Sequence, residues 1–142
     1  MSKVLEIINT EKLSLDFIAG LVTSQGYFSW VTQHRTQQKV PVFQIRLPYD
    51  EKDLLFGFKN SLGLKEPIYE YRSKNRSFVL LLIRKRKSIK EIIIPAFDQK
   101  LRGKKKKQFD QWKEAFFQEE KNWRYHYFQK NKGPKIMENE KL

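Results

Sequence analysis

The chain has two histidines, His34 and His126, and no cysteine. Thiolate nucleophiles, disulfides and cysteine-built zinc sites are therefore excluded, and two distant imidazoles do not make a zinc site by themselves. No serine, histidine and acid stand in an arrangement that reads as a nucleophilic triad. What recurs instead is cations and amides set among apolar and aromatic residues. Gln44 and Arg46 alternate with Phe43 and Ile45, Arg102 to Lys107 reads RGKKKK, and Trp123 to Phe128 interleaves rings with cations. Groups of these types hold phosphates, base edges and base faces rather than break bonds.

The overall charge points the same way. Lys and Arg number 29 against 16 Asp and Glu, a formal charge of +13 on 142 residues. A small domain so charged is drawn to a phosphate backbone by counterion release. A membrane partner would call for a basic amphipathic helix or a lipid anchor, and neither is legible. The longest apolar runs, such as Phe78 to Ile83, are far too short to span a bilayer. With 39% hydrophobic and 14% aromatic residues the chain carries enough apolar matter to fold.

The elements that must position these groups follow from periodicity. Leu13, Leu15, Phe17, Ile18, Leu21 and Val22 have helical spacing, with Ser14 and Asp16 as capping candidates and Gly26 at the end. Tyr27 to Arg35 and Val40 to Leu47 read as a hairpin. Glu51 to Leu62 reads as a second helix closed by Gly63, and Ile68 to Arg72 with Ser77 to Ile83 as a second hairpin. Ile89, Ile92, Ile93 and Phe97 form a further stripe interrupted by Pro95. A loop from Gln99 to Lys107 then precedes a helix containing Phe109, Trp112, Phe116 and Phe117. The expectation is one α+β domain over residues 1–128 in αββαββα order, with a four-stranded antiparallel saddle-shaped sheet, helices on one face and an extra C-terminal helix. Residues 129–142 are expected to be a basic polar tail.

Phe17 to Phe28 reads FIAGLVTSQGYF, and this stretch resembles the signature of the LAGLIDADG homing-endonuclease family, with Ile18, Ala19, Gly20, Leu21, Val22 and Gly26 fitting it. Pro41 to Leu47 (PVFQIRL) and Ile93 to Phe116 are similar to later segments of the same family, so the resemblance spans nearly the whole domain. It implies that small Ala19 and Gly20 allow two such helices to pack closely, and hence a partner helix from a second copy or another protein.

The same resemblance marks departures. The acid that binds the divalent metal in the family falls at Gln25, Thr23 replaces the motif's other acid, and Leu47 stands where a water-ordering Gln is common. A neutral amide is a poor ligand for Mg²⁺. The reading is therefore a non-cleaving protein with no catalytic residue, metal or cofactor. The alternative, a homodimeric endonuclease, would need Mg²⁺ and a displaced carboxylate such as Asp16 or Asp50.

A binding surface remains. If Phe28, Trp30, Phe43 and Ile45 face the core, strand alternation puts Ser29, Gln33, Arg35, Gln44 and Arg46 on the opposite face. Arg72, Arg76, Arg102, Lys104, Lys105, Lys106 and Lys107 are also expected to bind nucleic acid, the run Arg102 to Lys107 through contact with the phosphate backbone, since a Lys-rich segment at that place lies near the scissile phosphate in the family. The expected partner is nucleic acid, structured RNA before DNA, as an intron maturase or an organellar ribosome-associated protein. A DNA-binding repressor of the same fold is the other non-cleaving alternative. AT-rich codon usage suggests an organelle-encoded, mitochondrial or similar location.

Overall fold

The computed structural model describes the backbone of residues 12–131 and the side chains of residues 12–122. Helix α1 spans Leu15–Gln25 and is capped by Ser14, whose hydroxyl accepts from the Phe17 N–H. The chain then turns directly into β1, Gly26–Thr32, with no intervening loop. Gly26 makes that junction possible by its small size. A Cβ there would lie 2.7 Å from Val22 Cγ1 and 2.9 Å from the Val22 carbonyl oxygen.

Strand β2, Lys39–Pro48, pairs antiparallel with β1, and a short 3₁₀ turn, Tyr49–Glu51, leads into α2, Lys52–Leu62. Gly63 closes α2 with φ 70°, the left-handed region that glycine enters without strain. Strands β3, Ile68–Arg72, and β4, Ser77–Ile83, complete one antiparallel sheet in the order β1-β2-β4-β3. Both central strands, β2 and β4, are thus held on two sides.

Three successive helical pieces, Arg86–Ser88, the π-turn Ile89–Ile93 and Ile94–Phe97, form one continuous element, α3. Pro95 was expected to interrupt this stripe. It sits instead at the start of the last piece, after the wider π-turn, where its missing N–H costs little.

The lysine run is a second difference. Gly103–Asn131 is one helix, α4, so Lys104 to Lys107 lie in its first turns and not in a loop. Lysine is a good helix former, and Lys106 pairs with Asp110 at i,i+4, which offsets the like-charge repulsion. The turn before α4 is made by the two positive-φ residues Gln99 and Gly103. Helix α4 continues to Asn131, past the expected domain boundary at Phe128, and the rest of the expected tail lies outside the described residues.

Among the described residues, all four helices pack on the same side of the sheet. Phe28, Phe43, Ile45, Leu47, Val79, Leu81 and Ile83 meet Ile18 and Val22 of α1, Leu55 and Phe58 of α2, Ile93 and Phe97 of α3, and Phe109, Trp112 and Phe116 of α4. Each such side chain contributes about 1.5–3 kcal/mol when fully buried. Ring packing runs through the centre, with Phe28–Phe43 at 5.1 Å, Phe43–Phe97 at 5.9 Å and Phe58–Phe97 at 6.4 Å. None of these helices covers the other side of the sheet.

Candidate nucleic-acid interface

The register of the strands fixes what the uncovered face presents. Tyr27 lies opposite Gln44 and Gln44 opposite Leu82; Arg46 lies opposite Leu80 and Leu80 opposite Tyr69; Pro48 lies opposite Phe78 and Phe78 opposite Tyr71. Ser29 and Val31 complete the β1 edge. No carboxylate occupies any of these positions, so the face is apolar and aromatic with a cationic margin.

Ser29, Gln44 and Arg46 are therefore where strand alternation puts them. Gln33 and Arg35 are not on the sheet, because β1 ends at Thr32. Both belong to the hairpin tip, closed by Gln33 N–H to Gln38 O at 2.8 Å, with Gln37 in the left-handed region at φ 58°. The long polar stretch between the hairpin strands favours such a tip over further ladder pairing.

Among the other expected cations, Arg76 lies with its Cζ 5.2 Å from the Phe78 ring, on the open face. Arg72 has the opposite parity and stacks 4.5 Å over Tyr49 at the sheet edge, toward the helices. Its neighbour Glu70 pairs with Lys52 at 3.0 Å and accepts from the Tyr49 hydroxyl at 3.2 Å. The hydrogen bond from Lys52 is the main cause that holds the Glu70 carboxyl below its ordinary range.

The basic run Arg102 to Lys107, at the start of α4, divides into three kinds. Arg102, Lys104 and Lys107 are exposed. Lys106 pairs with Asp110 at 2.8 Å. Lys105 reaches back to the end of α1, donating to the Gly26 carbonyl, and lies 3.3 Å from Gln108 Oε1. Gln108 Oε1 also accepts from the Phe28 N–H at 3.1 Å. Burial lowers the Lys105 pKa from its ordinary value. The helix that carries the run is itself held to β1 by Trp112 Nε1, which donates to Ser29 O at 2.9 Å.

The sequence profile of the LAGLIDADG endonuclease family matches residues 18–116. The chain belongs to the LAGLIDADG endonuclease family. Among solved structures, the homing endonuclease I-GzeII in complex with its DNA target superposes with a TM-score of 0.70 at 26% identity, covering 80% of this chain and 39% of that one. The homing endonuclease I-TnaI gives 0.69 at 21%, covering 79% and 77%. The meganuclease I-SmaMI bound to uncleaveable DNA gives 0.65 at 21%, covering 77% and 38%. This chain thus spans about two fifths of the length of I-GzeII and I-SmaMI. No curated protein matches it.

At the place where a LAGLIDADG metal site would form, the residues do not fit a hard dication. Gln25, exposed at the last position of α1, offers a neutral amide. The Thr23 hydroxyl donates to Ala19 O at 2.8 Å, and Leu47 is buried in the core, unable to order water. Asp16 stands in the first turn of α1, about 13 Å along the helix axis from Gln25. Asp50 lies beyond Pro48, itself about 10 Å along β2 from the Gly26–Ile45 pair. Among the described residues no three His, Asp or Glu side chains come together.

The two small residues of the motif part company. Ala19 is buried in the domain's own core, whereas Gly20 faces outward with nothing within 4 Å of a Cβ placed there. Leu15 and Phe17, 51% and 49% exposed, belong to the outward part of the same helix. His34 is exposed in the hairpin tip, while the side chains of Trp123 to Phe128 lie outside the described residues.

Tyr27, Tyr69, Tyr71 and Phe78 are members of this face that periodicity did not single out. Strand β4 reads SFVLLLI, apolar on both faces, so alternation there is silent about which side is open. The Tyr-x-Tyr of β3 was the one available signal.

Proposed function

We propose that this LAGLIDADG domain binds nucleic acid without cutting it, and that its partner is structured RNA, in the manner of an intron maturase or a ribosome-associated protein of an organelle. The observation that carries the reading is Gln25 at the end of α1, with Asp16 and Asp50 both set away from it. Without a carboxylate at that point a bound Mg²⁺ has little to hold it, whereas the basic surface that attracts phosphates is intact. The uncovered sheet, rich in rings and free of acids, supports RNA, whose loops and bulges expose bases that a duplex keeps stacked.

Double-stranded DNA is the second reading. It is favoured by the similarity to I-GzeII, which was solved with a DNA target.

The two are separated by sequencing the nucleic acid that copurifies with the protein, and by incubating the purified protein with DNA substrates in Mg²⁺ or Mn²⁺. RNA enriched in a discrete set of structured segments, with no DNA cleavage, is the expected result. Cleavage that disappears in Gln25→Ala would overturn the non-cleaving reading, and enrichment of duplex DNA alone would overturn the RNA reading.

A further inference from the structure

The uncovered face is not uniform. Its β1–β2 half carries Ser29, Gln44 and Arg46, groups that can hydrogen-bond a base edge. Its β3–β4 half carries Tyr69, Tyr71, Phe78, Leu80 and Leu82, with no amide and no charge at these strand positions. Tyr69 and Tyr71 are each 46% exposed, and Tyr71 stacks on Phe78 with ring centroids 4.7 Å apart and planes at 25°. Two guanidinium groups approach the Phe78 ring, Arg46 at 5.0 Å and Arg76 at 5.2 Å. Rings and cations are thus gathered at one corner from three strands and the β3–β4 turn.

A corner of this kind suits one kind of occupant. In a duplex the base faces are covered by their neighbours, and only the edges are open in the grooves. Flat rings therefore gain little from a duplex and much from an unstacked base, which can lie on them whatever its identity. The strand's phosphates require nearby positive charge, and Arg76 supplies it at the ring cluster. Lying against Phe78, its guanidinium is restrained where it can meet a backbone that follows the ring cluster. The absence of acids from the open-face positions removes the repulsion that a polyanion would otherwise meet.

We propose that Tyr69, Tyr71 and Phe78 form a stacking platform for unpaired bases of a single-stranded nucleic-acid segment, with Arg76 holding its phosphates. This deepens the RNA-binding reading and rests on it. Gln44 and Arg46 are left to read edges on the adjoining half, so one strand crossing the sheet meets edge-reading groups first and stacking rings second.

The test compares the full chain with the variants Tyr69→Leu, Tyr71→Leu and Tyr71→Phe against four probes of roughly a dozen nucleotides, within the span that a small domain covers. The probes are single-stranded RNA, single-stranded DNA of the same sequence, an abasic strand, and duplex DNA. Leucine keeps an apolar side chain suited to the sheet and removes the ring; thermal melting of each variant checks that the fold persists. Weakening of about tenfold in single-strand affinity for each leucine variant, with duplex affinity changed less than about twofold and Tyr71→Phe like the wild type, is expected. The abasic strand should bind the wild type and Tyr71→Leu equally. Preference of the wild type for the RNA strand over the DNA strand identifies RNA as the source of the bases, and the reverse preference identifies single-stranded DNA.

Equal weakening on single strand and duplex, or no weakening on either, would overturn the platform while leaving nucleic-acid binding in place. Binding of no probe at all would instead sink the nucleic-acid reading beneath it. A wild type that is dimeric without nucleic acid and becomes monomeric in Tyr71→Leu would show the corner to be an interface between copies, and the platform would fall.

Discussion

The ammonium of Lys105 donates to the carbonyl of Gly26, joining the first turns of α4 to the end of the motif helix across 79 positions of sequence. The hydrogen bond ties the basic run to the corner where Gln25 stands, and makes Lys105 a structural residue among lysines that face solvent. Lys105→Ala should lower stability by about 1 kcal/mol, since it leaves a part-buried carbonyl without its donor. That corresponds to a drop in melting temperature of roughly 3–5 °C. Lys104→Ala and Lys107→Ala should leave the melting temperature unchanged. Equal melting of all three variants would show that the Gly26 hydrogen bond is not maintained in solution.

The exposed lysines instead govern affinity. Binding of RNA or DNA should weaken steeply with salt, and removing Lys104 and Lys107 should reduce the slope of log affinity against log salt by about 0.7–0.9 for each phosphate that is no longer neutralised. All sequences should be affected alike. A flat salt dependence in the wild type, measured by fluorescence anisotropy, contradicts a phosphate-dominated mode.

Gln44 and Arg46 should behave differently, because they stand on the sheet where they can reach base edges. Alanine at either position should cost about 1–3 kcal/mol on the preferred target if the native side chain bonds a base edge in bidentate fashion, and less on unrelated sequences. A selection experiment with each variant reads this directly. Should the lysine variants change sequence preference while the sheet variants do not, the roles given to the two surfaces are reversed.

The two glycines of the motif make opposite predictions. Gly26→Ala places a Cβ 2.7 Å from Val22 Cγ1 and 2.9 Å from the Val22 carbonyl oxygen, so the α1–β1 junction must move. Destabilisation by about 1–3 kcal/mol follows. Gly20→Ala meets nothing within 4 Å and should stabilise the helix by about 0.5–1 kcal/mol in a monomer. Destabilisation by Gly20→Ala at high protein concentration alone would reveal a partner helix packed on that face.

Glu70 sets a small acid-dependent contribution to stability. Its carboxyl is held below the ordinary 4.5, first by the hydrogen bond from Lys52. A lowered folded-state pKa gives stability that is present above 4.5 and disappears as pH falls through the folded value. Glu70→Gln should therefore be slightly less stable than the wild type at neutral pH, with the gap closing below 4.5 and narrowing in high salt, because the pair is exposed. A gap that widens on acidification contradicts the assignment.

Local patterns determined a good deal of this protein. The helical spacing of Ile18 and Val22 and the alternation of Phe43 and Ile45 are set within a few residues, so the core faces of α1 and β2 could be read directly from the sequence, whereas β4, apolar on both faces, could not. The family motif and the charge were equally local, and they pointed to a nucleic-acid surface without a metal-binding acid. Tertiary structure alone decided that Ala19 turns inward while its neighbour Gly20 turns outward, that Lys105 is engaged by Gly26, and that Arg46, Arg76 and Tyr71 converge on Phe78. The physical reason is the same in each case. Periodicity states which residues share a face of one element, but which face is covered, and which distant side chain arrives on it, depends on how strands pair and helices dock across tens of residues.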